Sequence, residues 1–426
     1  MVNYEEIKRL ISQAVEDLED ELIEFSKKIV NIPTENPPGN YYEECAKAIG
    51  DMMEKIGCEI EYVRVPDELL PELAPKGEGK PRINVIGKYK GESERPNIHF
   101  SGHYDVVPAG TGWSMDPYDA EVKDGKLYGR GSSDQKSGII SQIFSIYALK
   151  KAGINLKGTV ISSATPDEET GGEAGMGYLV NKGYLDSTNT DYCVITECLD
   201  ADKVCIGHRG TYWFEITTNG VQSHGSMPSE GVNAIDNMRM VLDRIDEKIR
   251  PQLEVKSKYP IQPKQCRKTT LSTTTIHAGS KVNTIPNECT VSFDWRLIPE
   301  QSVDWAKEQI KSVCEEIKSE NSGFEYKINN ILAVDPTIVP DDTDVVNAFL
   351  ESGQKILDKK MEFSISPGND DQKYVVKQGK MDQCIVYGPG PLNMAHKVDE
   401  YVEIEDLKNS AKIMALSSIK LLGIKE

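Results

Sequence analysis

The stretch Asn97-Ile98-His99-Phe100-Ser101-Gly102-His103-Tyr104-Asp105 decides how this chain folds. It reads as a strand over 97–104 that carries a histidine to its carboxyl end. Further strands are expected at 59–65, 84–89, 159–165 and 192–196, and a helix over 136–151 with Gly153 just beyond it. Strands alternating with helices predict an α/β chain with a largely parallel sheet covered by helices. In such sheets ligands collect at the carboxyl ends of strands. His103, Glu168, Glu169 and Glu197 all fall at such ends. Upstream, 4–30 reads as one acidic amphipathic helix, 34–39 as a loop, and a second helix runs to about 56 with Gly57 closing it.

The pattern changes after Gly207. Strands are expected at 211–218, 269–278, 289–296 and 324–331, with helices at 233–248 and 303–318. Two helices with four such strands predict a small α+β sandwich over 208–332, inserted into the larger domain. After Asp335-Pro336-Thr337 the earlier alternation resumes: helix 344–357, strand 385–387, helix 404–422. The larger domain is therefore discontinuous, 1–207 and 333–426. Its two junctions, near Gly207–Gly210 and 329–335, are the expected hinges.

A chain of 426 residues is too long for one compact core. Lys plus Arg number 49 against 68 Asp plus Glu, a net charge of -19. That excludes a nucleic-acid partner, because no basic field would draw phosphates in. Met1-Val2-Asn3-Tyr4-Glu5-Glu6 lacks a signal-peptide pattern, and no apolar run is long enough to span a bilayer. The nine cysteines are scattered without a C-x-x-C pair, which suits reduced, buried thiols. The expected location is the cytoplasm, with no membrane partner.

Five segments then stand out: Gly102-His103-Tyr104-Asp105, Gly129-Arg130-Gly131-Ser132-Ser133-Asp134, Asp167-Glu168-Glu169, Thr196-Glu197 and Ala395-His396. Histidine and carboxylate are ligands that zinc prefers. The count suits two ions sharing one carboxylate, with one acid left over as a base, which is the inventory of a two-metal hydrolase. Asp105, two residues beyond His103, can hold the imidazole tautomer. Asp134 has two oxygens and so can bridge two ions. Glu168 and Glu169 are adjacent and diverge, so one can ligate while the other acts as general base. Taken singly, each reads as an ordinary packed or surface residue, Asp134 as a helix cap. Independent accidents rarely gather all of them at one end of one sheet.

With these residues assembled, the chain resembles the co-catalytic zinc metallopeptidase family of acetylornithine deacetylase, succinyl-diaminopimelate desuccinylase, carboxypeptidases and aminoacylases. The resemblance rests on Ser101-Gly102-His103-Tyr104-Asp105-Val106-Val107-Pro108, Tyr128-Gly129-Arg130-Gly131-Ser132-Ser133-Asp134-Gln135-Lys136-Ser137-Gly138 and Asp167-Glu168-Glu169-Thr170-Gly171. These are similar to the family's G-H-x-D-x-V-P, G-R-G-x-x-D-x-K-x-G and D-E-E-x-G. It implies a zinc-exopeptidase-like mixed sheet and a lid/dimerisation role for the inserted domain. It also implies that His103 and Glu197 hold one zinc, Glu169 and His396 the other, and that Asp134 bridges them. Asp105 would orient His103, and Glu168 would take the proton of the bridging water.

Val221-Gln222-Ser223-His224-Gly225-Ser226-Met227-Pro228 is similar to the family's histidine motif, which implies that His224 reaches the partner subunit's site. Gly279-Ser280-Lys281-Val282-Asn283-Thr284-Ile285-Pro286 and Asp294-Trp295-Arg296 look like segments whose Asn283 and Arg296 bind the substrate carboxylate. Two departures stand out. Cys198 stands where the family often has proline, and Lys373, in Gly368-Asn369-Asp370-Asp371-Gln372-Lys373, replaces an arginine. Lys and Arg are not interchangeable at bidentate sites, so tail recognition by Lys373 departs from the family pattern.

The expectation is a homodimeric hydrolase with two Zn2+ per subunit, Co2+ or Mn2+ being substitutes. It would cleave the amide of an N-acyl amino acid, in the deacetylase or desuccinylase manner. The alternatives are a metallo-dipeptidase or carboxypeptidase on the same scaffold and, more remotely, a non-catalytic binding protein.

Overall fold

The computed structural model describes residues 4–425; of the opening hexapeptide read above, Met1–Asn3 lie outside the described residues. The chain divides into two compact units. The first comprises Met1–Ile206, Val339–Phe363 and Asp370–Glu426, and the second comprises Gly207–Ile338 with Ser364–Asn369.

The first unit is built on a mixed sheet. Its strands lie in the order Glu59–Arg64, Ile83–Tyr89, Thr159–Thr165, Asn97–His103, Tyr192–Ile195, Cys384–Val386 and Lys203–His208. The centre is parallel: Asn97–His103 pairs in parallel with Thr159–Thr165 and with Tyr192–Ile195, which pairs in parallel with Cys384–Val386. The flanking pairings are antiparallel. Asn97–His103 and Thr159–Thr165 are buried at all seven positions each, so both faces must be covered. Polar residues inside this core bond one another. His99 Nε2 lies 2.8 Å from Ser163 Oγ, which donates to Ser101 Oγ at 2.8 Å. Gln142 Nε2 donates to Ser162 Oγ at 3.0 Å. The covering helix Lys136–Lys151 is buried nearly all round, as a helix sandwiched between sheet and outer helices must be.

Two expectations are corrected. The segment 4–30 is two helices, Tyr4–Glu16 and Glu19–Val30, not one. The break falls at Asp17-Leu18, where Gln13 Nε2 donates to the Asp17 carboxylate and Leu18 is buried. The second helix then opens on Glu19, Asp20 and Glu21, the charge that a helix N-terminus favours. The second correction is an unforeseen three-stranded sheet of Glu121–Lys123, Lys126–Tyr128 and Tyr401–Glu403. Its hairpin turns on Asp124-Gly125, both at positive φ (51° and 76°). An Asp-Gly pair favours that two-residue turn.

The second unit is an antiparallel sheet in the order Thr270–Ala278, Glu288–Leu297, Gly210–Asn219 and Glu325–Val334, with helices Ala234–Lys248 and Val303–Glu320. Its core stacks Tyr212 on Phe214 and Phe214 on Phe293, with ring centroids 4.6 and 4.9 Å apart. Burial along Glu288–Leu297 alternates residue by residue, the period-two signature of a sheet with one covered face. Both helices are capped by side chains that accept main-chain N–H groups: Asn233 from Ile235, and Ser302 from Trp305.

Candidate metal centre

Parallel strands release their chains at the same sheet end, and the candidate residues come from there. His103 is the last residue of its strand, Glu168 and Glu169 follow Thr159–Thr165, and Glu197 follows Tyr192–Ile195. The His396 loop follows Cys384–Val386. The turns pack closely. A Cβ on Gly138 would lie 1.8 Å from the Thr196 carbonyl oxygen, and one on Gly390 would lie 2.3 Å from that of Ser133. Only glycine permits such approaches. They bring the Asp134 turn against both the Glu197 turn and the His396 loop. Gln135 adds a bridge in the amide orientation that satisfies both its ends, accepting from His103 N and donating to Thr196 O, both at 2.9 Å.

Two clusters result, His103–Asp134–Glu197 and Asp134–Glu169–His396. His103 Nε2 lies 3.3 Å from Asp134 Oδ1 and 3.6 Å from Glu197 Oε2. His396 Nε2 lies 3.2 Å from Asp134 Oδ2 and 3.1 Å from Glu169 Oε2. Asp134 thus offers one oxygen to each imidazole. Bonds of about 2.0–2.1 Å to zinc imply ligand–ligand edges of about 3.3 Å around a tetrahedral ion, which fits these spacings. His103 Nε2, Glu169 Oε1 and Glu197 Oε2 are buried without a hydrogen-bond partner. Orphaned buried polar atoms are costly, and a cation at each cluster would satisfy them. The donor set therefore fits a pair of divalent ions.

The electrostatics point the same way. Burial raises the pKa values of Glu197 and of Glu169, the latter to about 8, with the Asp134 charge adding to both. Asp134 itself is held well below the carboxylate range, against burial, by hydrogen bonds to the two histidines. His396 is raised to about 11 by its bonds to Asp134 and Glu169. His103 is raised despite its burial, chiefly by the Glu197 charge. So many acids gathered at one point favour a positive charge among them. Glu168 is half-buried. Burial raises its pKa, and the charges of Lys373 and His103 oppose this.

Asp105 is fully buried and sits in two roles. Its main-chain carbonyl lies 2.9 Å from His103 Nδ1, nearer than its carboxylate at 3.4 Å. The carboxylate accepts instead from the main-chain N–H groups of Glu168 and Glu169, each at 3.2 Å, and from Asn36 Nδ2 at 2.8 Å. Asp167, which heads the Asp167-Glu168-Glu169 segment, is buried. It pairs with the equally buried Arg82 at 2.7 Å and accepts from Tyr42. Burial lifts its pKa to about 6. Lys373 is buried, with Nζ 3.3 Å from the Asp370 carbonyl and 3.8 Å from the Asp371 carboxylate.

The remaining candidates belong to the second unit. His224 is exposed, its Nδ1 2.8 Å from Ser226 Oγ, in a short ladder with Thr284–Ile285. Asn283 lies beside it, its carbonyl accepting from Gly225 N at 2.8 Å. Arg296 is engaged by Asp294 through Nε at 2.8 Å and Nη2 at 3.2 Å, so a substrate carboxylate would compete with that pair.

Sequence reasoning passed over Asn36, Arg82 and Glu400. Glu400 accepts main-chain bonds from Gly131, Ser133 and Asp134. No local periodicity marks these residues.

A succinyl-diaminopimelate desuccinylase of Wolbachia pipientis is 27% identical over 90% of this chain and 89% of its own. The dipeptidase Dug1p of Saccharomyces cerevisiae has a similar fold, with a TM-score of 0.74 over 98% of this chain and 99% of its own at 16% identity. The Bacillus subtilis protein YXEP, described as a dinuclear metal-binding peptidase, superposes with a TM-score of 0.68 over 96% of this chain and 99% of its own at 17% identity. Residues 99–418, well over half the sequence and spanning every metal-ligand candidate, match the family described as Peptidase family M20/M25/M40, and the chain belongs to that family.

Proposed function

We propose that this chain is a two-metal hydrolase that cleaves the amide bond of an N-acyl amino acid, of the deacetylase or desuccinylase type, giving a carboxylate and a free amino acid. The observation that carries the reading is Asp134, whose two oxygens face two separate histidine–glutamate pairs. His103, Asp134 and Glu197 would hold one Zn2+, and Asp134, Glu169 and His396 the other. Bound there, the ions would polarise the amide carbonyl and acidify water.

The chain's own residues supply the rest. Asp105 grips the main chain of Glu168 and Glu169, which fixes the direction of both side chains. Glu168, raised by burial, takes a proton from the water that attacks the carbonyl carbon. It gives that proton to the nitrogen as the C–N bond breaks. His224 would steady the carbonyl oxygen from the partner subunit of a homodimer. Asn283, Arg296 and Lys373 would hold the substrate's anionic end. Arg suits that task through paired N–H groups, once Asp294 shares it.

The desuccinylase relative favours the acyl-amino-acid reading. The likeness to the dipeptidase, at 16% identity, speaks to the fold alone. Amine release from a panel of N-acetyl, N-succinyl and N-formyl amino acids and simple dipeptides, with zinc-loaded protein, tests the assignment. Release from one acyl class is expected. Release from dipeptides alone would replace it with the dipeptidase reading, and no release from any would revive the binding-protein alternative.

A further inference from the structure

Glu400 is fully buried, lies four residues beyond His396, and belongs to neither ligand cluster. Its carboxylate is nonetheless saturated with donors. Oε1 accepts from Ser133 N at 2.8 Å and from Asp134 N at 2.9 Å. Oε2 accepts from Gly131 N at 3.1 Å and from Arg130 Nη1. The Glu400 carbonyl accepts from Gly129 N at 3.0 Å, and the next residues, Tyr401–Glu403, pair with Lys126–Tyr128. Arg130 Nη1 also donates to the Lys397 carbonyl at 3.2 Å, and its guanidinium lies 5.1 Å from the Trp113 ring centroid.

One buried side chain therefore binds three consecutive-turn N–H groups, including that of Asp134 itself, to the segment that carries His396. A buried carboxylate is expensive unless fully paired. Here the pairing is complete, and all of it goes to the turn that presents the shared ligand.

We infer that Glu400 is a positioning residue: it fixes the Asp134 main chain against the His396 segment and so sets the spacing at which the ion of the Asp134–Glu169–His396 cluster is held. This rests on the two-ion reading above. His103 and Glu197 are tied to the sheet by other contacts, so the other cluster depends on Glu400 through Asp134 alone. Glu400→Gln is nearly isosteric, yet it must turn an NH2 donor toward either the Ser133 and Asp134 N–H groups or those of Gly131 and Arg130. Glu400→Asp keeps the charge and falls short by one methylene.

Calorimetric titration of metal-free protein with Zn2+ tests this, alongside the melting temperature and near-ultraviolet circular dichroism of the same metal-free samples. His396→Ala marks which binding step belongs to the His396 cluster. Wild type should take two ions. Glu400→Gln should weaken the step that His396→Ala weakens by about 10- to 100-fold, leave the other step within a few-fold, and keep the metal-free dichroism. Glu400→Asp should recover part of that loss.

Two wild-type affinities in Glu400→Gln, or equal weakening of both steps, would overturn the inference and leave the two-ion reading standing. A wild type that takes fewer than two ions would overturn both. Should Glu400→Gln not fold, Glu400→Asp, whose carboxylate falls one methylene short of the same N–H groups, decides: a loss confined to the same step supports the inference, and unchanged affinities or equal weakening of both steps overturn it.

Discussion

Asp134 turns one oxygen toward each of two imidazoles, and what surrounds it explains how a carboxylate can be held that way. Its N–H is bound by Glu400, its neighbour Gln135 bridges His103 and Thr196, and Gly138 lets the following helix reach the Glu197 turn. The ligand candidates themselves are legible in sequence because each ends a strand or a glycine-marked turn. Asn36, Arg82 and Glu400 are not, because their roles come from contacts across the fold and leave no periodic trace.

His99, in the same central strand, shows what such burial does. Its Nε2 meets Ser163, its Nδ1 is buried without a partner, and burial pushes its pKa down to about 3. The unfolded chain binds a proton at this residue near pH 6.5 and the folded one refuses it until about 3, so its contribution falls as pH drops through that window. In urea unfolding of the metal-free protein, wild type should lose about 2 kcal/mol more than His99→Gln between pH 7 and pH 5. A difference between the two that does not change with pH would contradict this.

At the scale of elements, the helix Lys136–Lys151 and the strand ends it covers decide the site's shape. Gly138→Ala would drive a methyl into the Thr196 carbonyl, against main chain that cannot rotate away. A loss of about 3 kcal/mol in urea unfolding is expected, as for severe overpacking. A loss below about 1 kcal/mol would show that the helix can retreat. Long periodic elements such as this helix and Asp344–Leu357 read correctly from sequence to the residue. The break at Asp17-Leu18 did not, because Leu18 keeps the apolar pattern in phase while the backbone leaves the helix. The hairpin 121–128 escaped notice although Asp124-Gly125 marks it, because its strands are only three residues long. That omission also hid Glu400, which the third strand of the same sheet puts in place.

Across the whole molecule, every metal-ligand candidate lies in the first compact unit. Ligands stabilise what they bind, so chelation should act locally. Hydrogen exchange after metal removal should quicken at the end of Asn97–His103 and through residues 388–400. The strands Gly210–Asn219 and Glu288–Leu297 of the second unit should be unaffected. Uniform quickening in both units would contradict a metal site whose ligands are confined to the first. Among the described residues no helix is long and apolar enough to cross a membrane. The alternation of strand and helix changes character at Gly207, where the second compact unit begins, but that unit runs on to Ile338 and takes in Ser364–Asn369, both beyond the expected 208–332. That Arg296 is engaged by Asp294 and Lys373 by the Asp370 carbonyl was not legible, since a motif lists neighbouring residues without saying which of them bond.

The central proposal is that Glu168 carries the proton from the attacking water to the leaving nitrogen. Its most direct test is the rate of amine release by Glu168→Gln on the substrate that wild type cleaves best, at matched zinc content. The account predicts a fall of at least about 100-fold with two ions still bound. Turnover within a few-fold of wild type at full zinc occupancy would contradict it and remove Glu168 as the base.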